Sequence, residues 1–194
     1  FSNFTYFLDD PVNGDQFSQV DKRFQSAMNL SHLWVNRIGG LEVENTAGIQ
    51  FQNDVIDNGL LSTKQRQTLS TTRKDHINQN SIGLYYQNSI QWLEKFRSVA
   101  GVRSDYYWFD VSSHQAVNSG KRYDSITNPK ISLIFGPWAQ TEFYFNYGGG
   151  FHSNDARGTT TTVDPKSGDP VNRVNPLVRS TGYEVGVRTA IVPG

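Results

Sequence analysis

The chain has 194 residues, room for one ordinary domain or a piece of a larger one, and its 18 basic and 18 acidic residues cancel to a formal net charge of zero. That balance argues against nucleic acid or another polyanion as a partner, and the absence of cysteine excludes disulfide frameworks, zinc–cysteine sites and cysteine nucleophiles. No stretch approaches the roughly 18 consecutive apolar residues of a membrane-spanning helix. A transmembrane β-barrel stays open, because its strands alternate lipid-facing and lumen-facing residues and average to an ordinary hydropathy.

Period-two alternation recurs along the whole chain and no window holds helical spacing, so the chain reads as all β, with about eight strands. A first strand is expected at residues 1–8, opening on Phe1 without an initiator Met or a charged leader, which reads as a cut N-terminus. A second is expected at 20–35. In the third, Leu41, Val43, Ala47, Ile49 and Phe51 oppose Glu42, Glu44, Thr46, Gly48 and Gln50, with Asn45 the polar break on the apolar side. The fourth sets Ile82, Leu84, Tyr86, Ile90 and Trp92 against Ser81, Gly83, Tyr85, Gln87, Ser89 and Gln91, with Asn88 as its exception. The fifth sets Phe96, Ala100, Val102, Tyr106 and Trp108 against Arg97, Gly101, Arg103 and Asp105. Strands at 127–135 and 138–151 follow, and a last one sets Tyr183, Val185, Val187 and Ile191 against Gly182, Glu184, Gly186 and Arg188.

Connections alternate between long and short. Long ones are expected near 9–19, 52–78, 112–125 and 152–179, and short ones at 36–40, 93–95, Gly136-Pro137 and the terminal Pro193-Gly194. An up-and-down antiparallel meander with long loops at one end and tight turns at the other is the layout of an outer-membrane barrel. Aromatic residues agree with it. Trp34, Trp92, Phe96 and Trp138 fall beside the short turns and Tyr106, Trp108 and Tyr147 near the other end, as interfacial girdles require. The alternative is a soluble β-sandwich that binds carbohydrate through exposed aromatics.

Three strings favour the barrel: GVRSDYYWFDV at 101–111, NPKISLIFGPWAQTEFYFNYGGGFHSNDARG at 128–158 and PLVRSTGYEVGVRT at 176–189. Together they resemble the barrel of TonB-dependent outer-membrane receptors, and NGDQFSQVDKR at 13–23 fits the same group. The resemblance covers nearly the whole chain. It implies that residues 1–194 are a segment of a roughly 22-stranded barrel, with the plug domain, the TonB box and the C-terminal strand lying outside the chain. It further implies a location in the outer membrane of a Gram-negative bacterium and uptake of a small molecule, such as a siderophore or other metal chelate, energised through TonB. The partners so implied are the plug of the same parent chain, the TonB complex, outer-membrane lipid and lipopolysaccharide. No enzyme activity and no cofactor are called for. Arg97, Arg103, Glu142, Glu184 and Arg188 fall on the polar face, where such receptors hold the plug. Gly101, Gly148, Gly182 and Gly186 on that face make room for strong coiling or for a close backbone.

The most chemical-looking stretch is 151–157, which holds His152, Ser153, Asn154, Asp155 and Arg157 where a strand leaves the membrane. One reading gives His152, Asn154, Asp155 and Arg157 a ligand at the extracellular mouth. The commoner reading makes Asn154 and Asp155 a turn whose charges tether the loop. A catalytic His152–Ser153 pair is disfavoured, since neighbours on a strand point to opposite faces. His32, His76 and His114 show no metal-ligand spacing, and His32 is placed near Trp34. Lys64, Arg66, Arg73, Lys74 and His76 form a candidate basic patch, though a solvated loop explains them as well. The threonine run at 158–162 predicts a mobile loop.

Overall fold

Alternation commits a segment to a pleated strand with two distinct faces. The computed structural model describes residues 1–190 and pairs seven such strands into one sheet. They are β1 (Phe17–Ile38), β2 (Leu41–Lys64), β3 (Gln67–Leu93), β4 (Phe96–Ser113), β5 (Gly120–Trp138), β6 (Thr141–Ser153) and β7 (Leu177–Thr189). Each pairs antiparallel with its neighbour in sequence, in the order β1 to β7. Among the described residues the sheet is open, with β1 and β7 as its edges. A β-sandwich needs a second sheet and strands that cross between layers, so this single sequential sheet removes the alternative fold. Among the described residues helix is confined to the connections, as one 3₁₀ turn at Ala116–Asn118 and the five-residue α1 (Ala156–Thr160).

Tight turns close one end. Gly39 and Gly40 join β1 to β2 with φ of 59° and 84°, and Ala139 and Gln140 join β5 to β6 with φ of 47° and 65°. Positive φ at both positions of a two-residue loop matches the twist of the flanking strands. The turn expected at Gly136-Pro137 is therefore displaced, and those two residues belong to β5. Gly136 is fixed there for steric reasons: its φ is 125°, and a Cβ would stand 2.7 Å from the Thr141 carbonyl oxygen. Ile191 and the turn expected at Pro193-Gly194 lie outside the described residues.

The other end differs more from expectation. Residues 52–78 are not a loop; they are the paired outer halves of β2 and β3, closed by Gln65 and Arg66 with φ of 50° and 67°. At about 3.4 Å per residue, the 27 residues of β3 run far beyond the roughly 25 Å apolar band of a barrel wall. Polar residues stand on both faces of the 52–78 stretch, Asp54, Thr63 and Asp75 among them buried, so the alternation is lost although Ile56 and Ile77 stay on one face. Residues 1–8 are not a strand either. They form turns held by one bridge, Ser2 to Phe17, and by the Asp15 carboxylate, which accepts from the N–H groups of Leu8 at 2.8 Å and Asp10 at 2.8 Å. Desolvation pushes the Asp15 carboxyl up, but these donors, with Asp9 N–H and the Thr5 hydroxyl, outweigh it and hold it at about 2.

Register places the apolar residues side by side: Ile49 faces Leu84, Phe51 faces Ile82, Ile82 faces Tyr106, and Phe143 and Phe145 face Val187 and Val185. Aromatic pairs mark the tight-turn end, with Phe96 and Phe135 stacked at 4.8 Å and His32 on Trp34 at 5.7 Å. The buried apolar cluster lies elsewhere. Ile56, Ile77, Phe109 and Val111 sit on the polar face near the long-loop end and receive Ala156 of α1. Each such side chain contributes about 1.5–3 kcal/mol on burial, so the connection between β6 and β7 is folded onto the sheet.

Candidate functional site

The residues singled out at 151–157 lie where β6 ends. Gly148, Gly149 and Gly150 mark the point at which β6 stops pairing with β5, whose last partner there is Lys130, and continues with β7 alone. Past this point Phe151 meets Tyr107 edge-on at 5.9 Å, on the face that carries the buried cluster. His152 follows, exposed. Asn154 donates through Nδ2 to the Asn175 carbonyl at 2.7 Å, tying together the two ends of the connection.

Asp155 caps α1 by accepting from the Arg157 N–H at 2.9 Å, and the Arg157 guanidinium returns to the same carboxylate, with Nε at 3.0 Å. Arg157 also donates across the sheet to Asn58 Oδ1 on β2. Around α1 the tethers multiply: Arg122 Nε donates to the Thr159 carbonyl at 3.1 Å, and Arg73 donates to Thr161 Oγ1 at 3.2 Å while paired with Asp75. Asn118 Oδ1 accepts from the N–H groups of both Thr162 and Val163, at 2.9 and 3.0 Å. The threonine run expected to be mobile is thus among the best-buried backbone of the chain, with Thr159 and Thr160 1% and 2% exposed. Their hydroxyls satisfy themselves on the turn before, Thr159 donating to the Ala156 carbonyl at 2.7 Å, which is what allows them to be buried.

Burial pushes the Asp155 carboxyl up, but the side-chain and backbone hydrogen bonds from Arg157 outweigh it and hold it below the ordinary aspartate value. A carboxyl lowered by folding contributes stability that is complete above its unfolded value and is lost as pH falls through the folded one. Amide-exchange protection factors of α1 are therefore expected to drop as the pH is taken below the ordinary aspartate range, while an Asp155→Asn variant is poorly protected at neutral pH too. Equal protection of both proteins at both pH values would contradict the tether.

Further into the sheet the polar face carries paired charges. Arg103 grips Asp105 with Nε 2.9 Å from both carboxylate oxygens and lies across Gly83 of β3. Glu142 pairs with Arg188, and Glu184 accepts from the Tyr144 hydroxyl and from Asn146 Nδ2, both at 3.1 Å. The Tyr144 ring occupies the space over Gly186. Arg97 Nε is buried with no hydrogen-bond partner among the described residues. The basic residues of 64–76 do not converge: Lys64 binds the 12–13 turn, Arg66 lies over the Phe1 ring, and His76 holds Asp57. Among the described residues no group of three His, Asp or Glu side chains is placed to hold a metal.

The family model described as "TonB dependent receptor-like, beta-barrel" matches residues 1–192. The chain belongs to the TonB-dependent receptor β-barrel family. No curated protein matches the sequence. Among solved structures, the fold is similar to BauA, the ferric preacinetobactin receptor from Acinetobacter baumannii, with a TM-score of 0.71 at 12% identity over 92% of this chain and 28% of that one. It is similar to the copper transporter OprC at 0.65 and 11% identity, over 90% and 29%, and to the unliganded ferric citrate transporter FecA at 0.61 and 13%, over 70% and 21%. The chain thus spans less than a third of each receptor. Sequence reasoning missed Asp75, Asn58 and Asn118, and placed Arg73 in a basic patch and not beside Asp75 and Thr161. One signal was present on the strands, since Arg73/Asp75 and Arg103/Asp105 are opposite charges two positions apart, the spacing that puts both side chains of a strand on one face.

Proposed function

We propose that this chain is part of the wall of an outer-membrane receptor that takes up a scarce ligand, such as a siderophore or other metal chelate, with energy supplied through TonB. The observation that carries this reading is the family match over 1–192, joined to a sequential meander with tight turns at one end and a long β6–β7 connection folded onto the polar face at the other. In this reading β1 and β7 pair with the other strands of the parent barrel, since an unpaired edge in hydrocarbon costs several kcal/mol per backbone group. Arg97, Arg103, Glu142, Glu184 and Arg188 face the plug. Asp155 and Arg157 set the loop that frames the mouth, Asn154 ties its ends, and exposed His152 meets the ligand.

Uptake of radiolabelled ferric chelates by cells producing the full receptor, with and without TonB, tests the reading. Saturable accumulation that requires TonB is expected, and accumulation indifferent to TonB would overturn it. The orientation of the wall has its own check. Nitroxides at Leu41, Val43, Ile49, Leu84, Ile90, Phe143, Phe145, Val185 and Val187 are expected to be relaxed by bilayer-dissolved oxygen and shielded from aqueous nickel reagents. The reverse ranking would mean that the apolar face is turned inward.

A further inference from the structure

The apolar face contains one buried polar site that neither plug docking nor ligand passage uses. Asn45 and Asn88, the two breaks in the alternation of β2 and β3, stand opposite one another in register. Asn45 is 6% exposed, and its Oδ1 accepts from Asn88 Nδ2 at 2.8 Å and from the Tyr86 hydroxyl at 2.6 Å. Both acceptor sites of that oxygen are therefore filled. Other capacity is left over. Asn45 Nδ2 reaches only the Val43 carbonyl, at 3.5 Å, and Asn88 enters the network as a donor alone, leaving its own Oδ1 to offer.

These groups open into a hollow of about 460 Å³ walled by Trp34, Tyr86 and Trp92. Trp34 faces Asn45 across β1 and β2, with its ring 6.3 Å from that of Tyr86. Among the described residues no charged side chain lines the hollow. At the depth of the Trp34 and Trp92 girdle, lipid headgroups compete with water for these unfilled amide groups. A phosphate by itself would call for Arg or Lys, which are missing. Aromatic faces together with an amide oxygen suit an ammonium group, and the oxygen requires one that still carries N–H. The remaining amide N–H suits an ester or phosphate oxygen.

We infer that this hollow binds one zwitterionic phospholipid through a primary-ammonium headgroup, at the tight-turn end of the wall. The inference rests on the membrane reading proposed above. Native mass spectrometry of the full receptor, released from bilayers of defined ethanolamine, choline and anionic phospholipids, tests it. One ethanolamine phospholipid per receptor is expected to survive delipidation. Its occupancy should fall about tenfold in Asn45→Leu/Asn88→Leu, the loss of two hydrogen bonds. It should be unchanged in Asn53→Leu, which breaks the separate amide cluster formed with Asn78 and Asn80. If the double variant does not fold, Trp34→Leu replaces it, with a fall of several-fold expected. Equal retention of choline or anionic lipid, unchanged occupancy in the variants, or a second receptor copy seated on this face overturns the inference while leaving the transport reading intact. A receptor that does not enter bilayers at all overturns the membrane reading itself.

Discussion

Phe109→Ala is expected to destabilise the full receptor by about 3–5 kcal/mol, the cost of truncating a buried aromatic ring. Phe109 is 1% exposed, stacks on Tyr107 at 5.8 Å and forms, with Ile56, Ile77 and Val111, the surface on which Ala156 rests. The damage should be local first: the connection from Asn154 to Pro176 loses its seat, so limited proteolysis is expected to cut there before the strands unfold. A variant with an unchanged urea midpoint and an uncut loop would show that the polar tethers alone hold this connection down.

Arg103→Leu should cost about 3 kcal/mol, because the Asp105 side chain is only 3% exposed and would keep a charge without a partner. The low end of the range for buried pairs applies, since the guanidinium itself is 37% exposed. Removing both charges in Arg103→Leu/Asp105→Leu is expected to recover most of the loss, as replacing a whole buried pair commonly does. Thermal melting followed by heat-modifiable electrophoretic mobility measures all three proteins. A double variant less stable than either single one would mean that the pair is net stabilising in place.

What the sequence discloses depends on what surrounds each strand. Where one face is apolar and the other wet, as at Ile49 with Leu84 or Phe143 with Val187, alternation located both strand and face. It failed at 52–78, where polar residues on both sides look like loop although Ile56 and Ile77 still mark the covered face. Strand β4 shows the same change within one run: after Asp105 the polar parity becomes Tyr107, Phe109 and Val111, apolar where it had been charged. That pattern reports that this face is covered here, but it does not say by what. The covering piece, Ala156 to Thr160, is separated by more than forty positions from β4 and is too short and too rich in threonine to announce a helix. The candidate site was foreseen as residue types at 152–157, whereas its anchors, Asn58, Arg73 and Asn118, are set by topology alone.

The hairpin closed by Gln65 and Arg66 has a consequence for how such a wall can change length. A ribbon of two paired strands grows by one residue on each side of its tip without moving any existing side chain to the opposite face. A lone inserted residue, by contrast, must be absorbed as a bulge, of the kind found between Leu60 and Leu61. Its height can therefore change in paired steps that leave the strands below in register, at the expense of the contacts that Lys64 and Arg66 make with residues 1–16. On the receptor reading proposed above, the same property makes the tip a place to graft a foreign peptide for display.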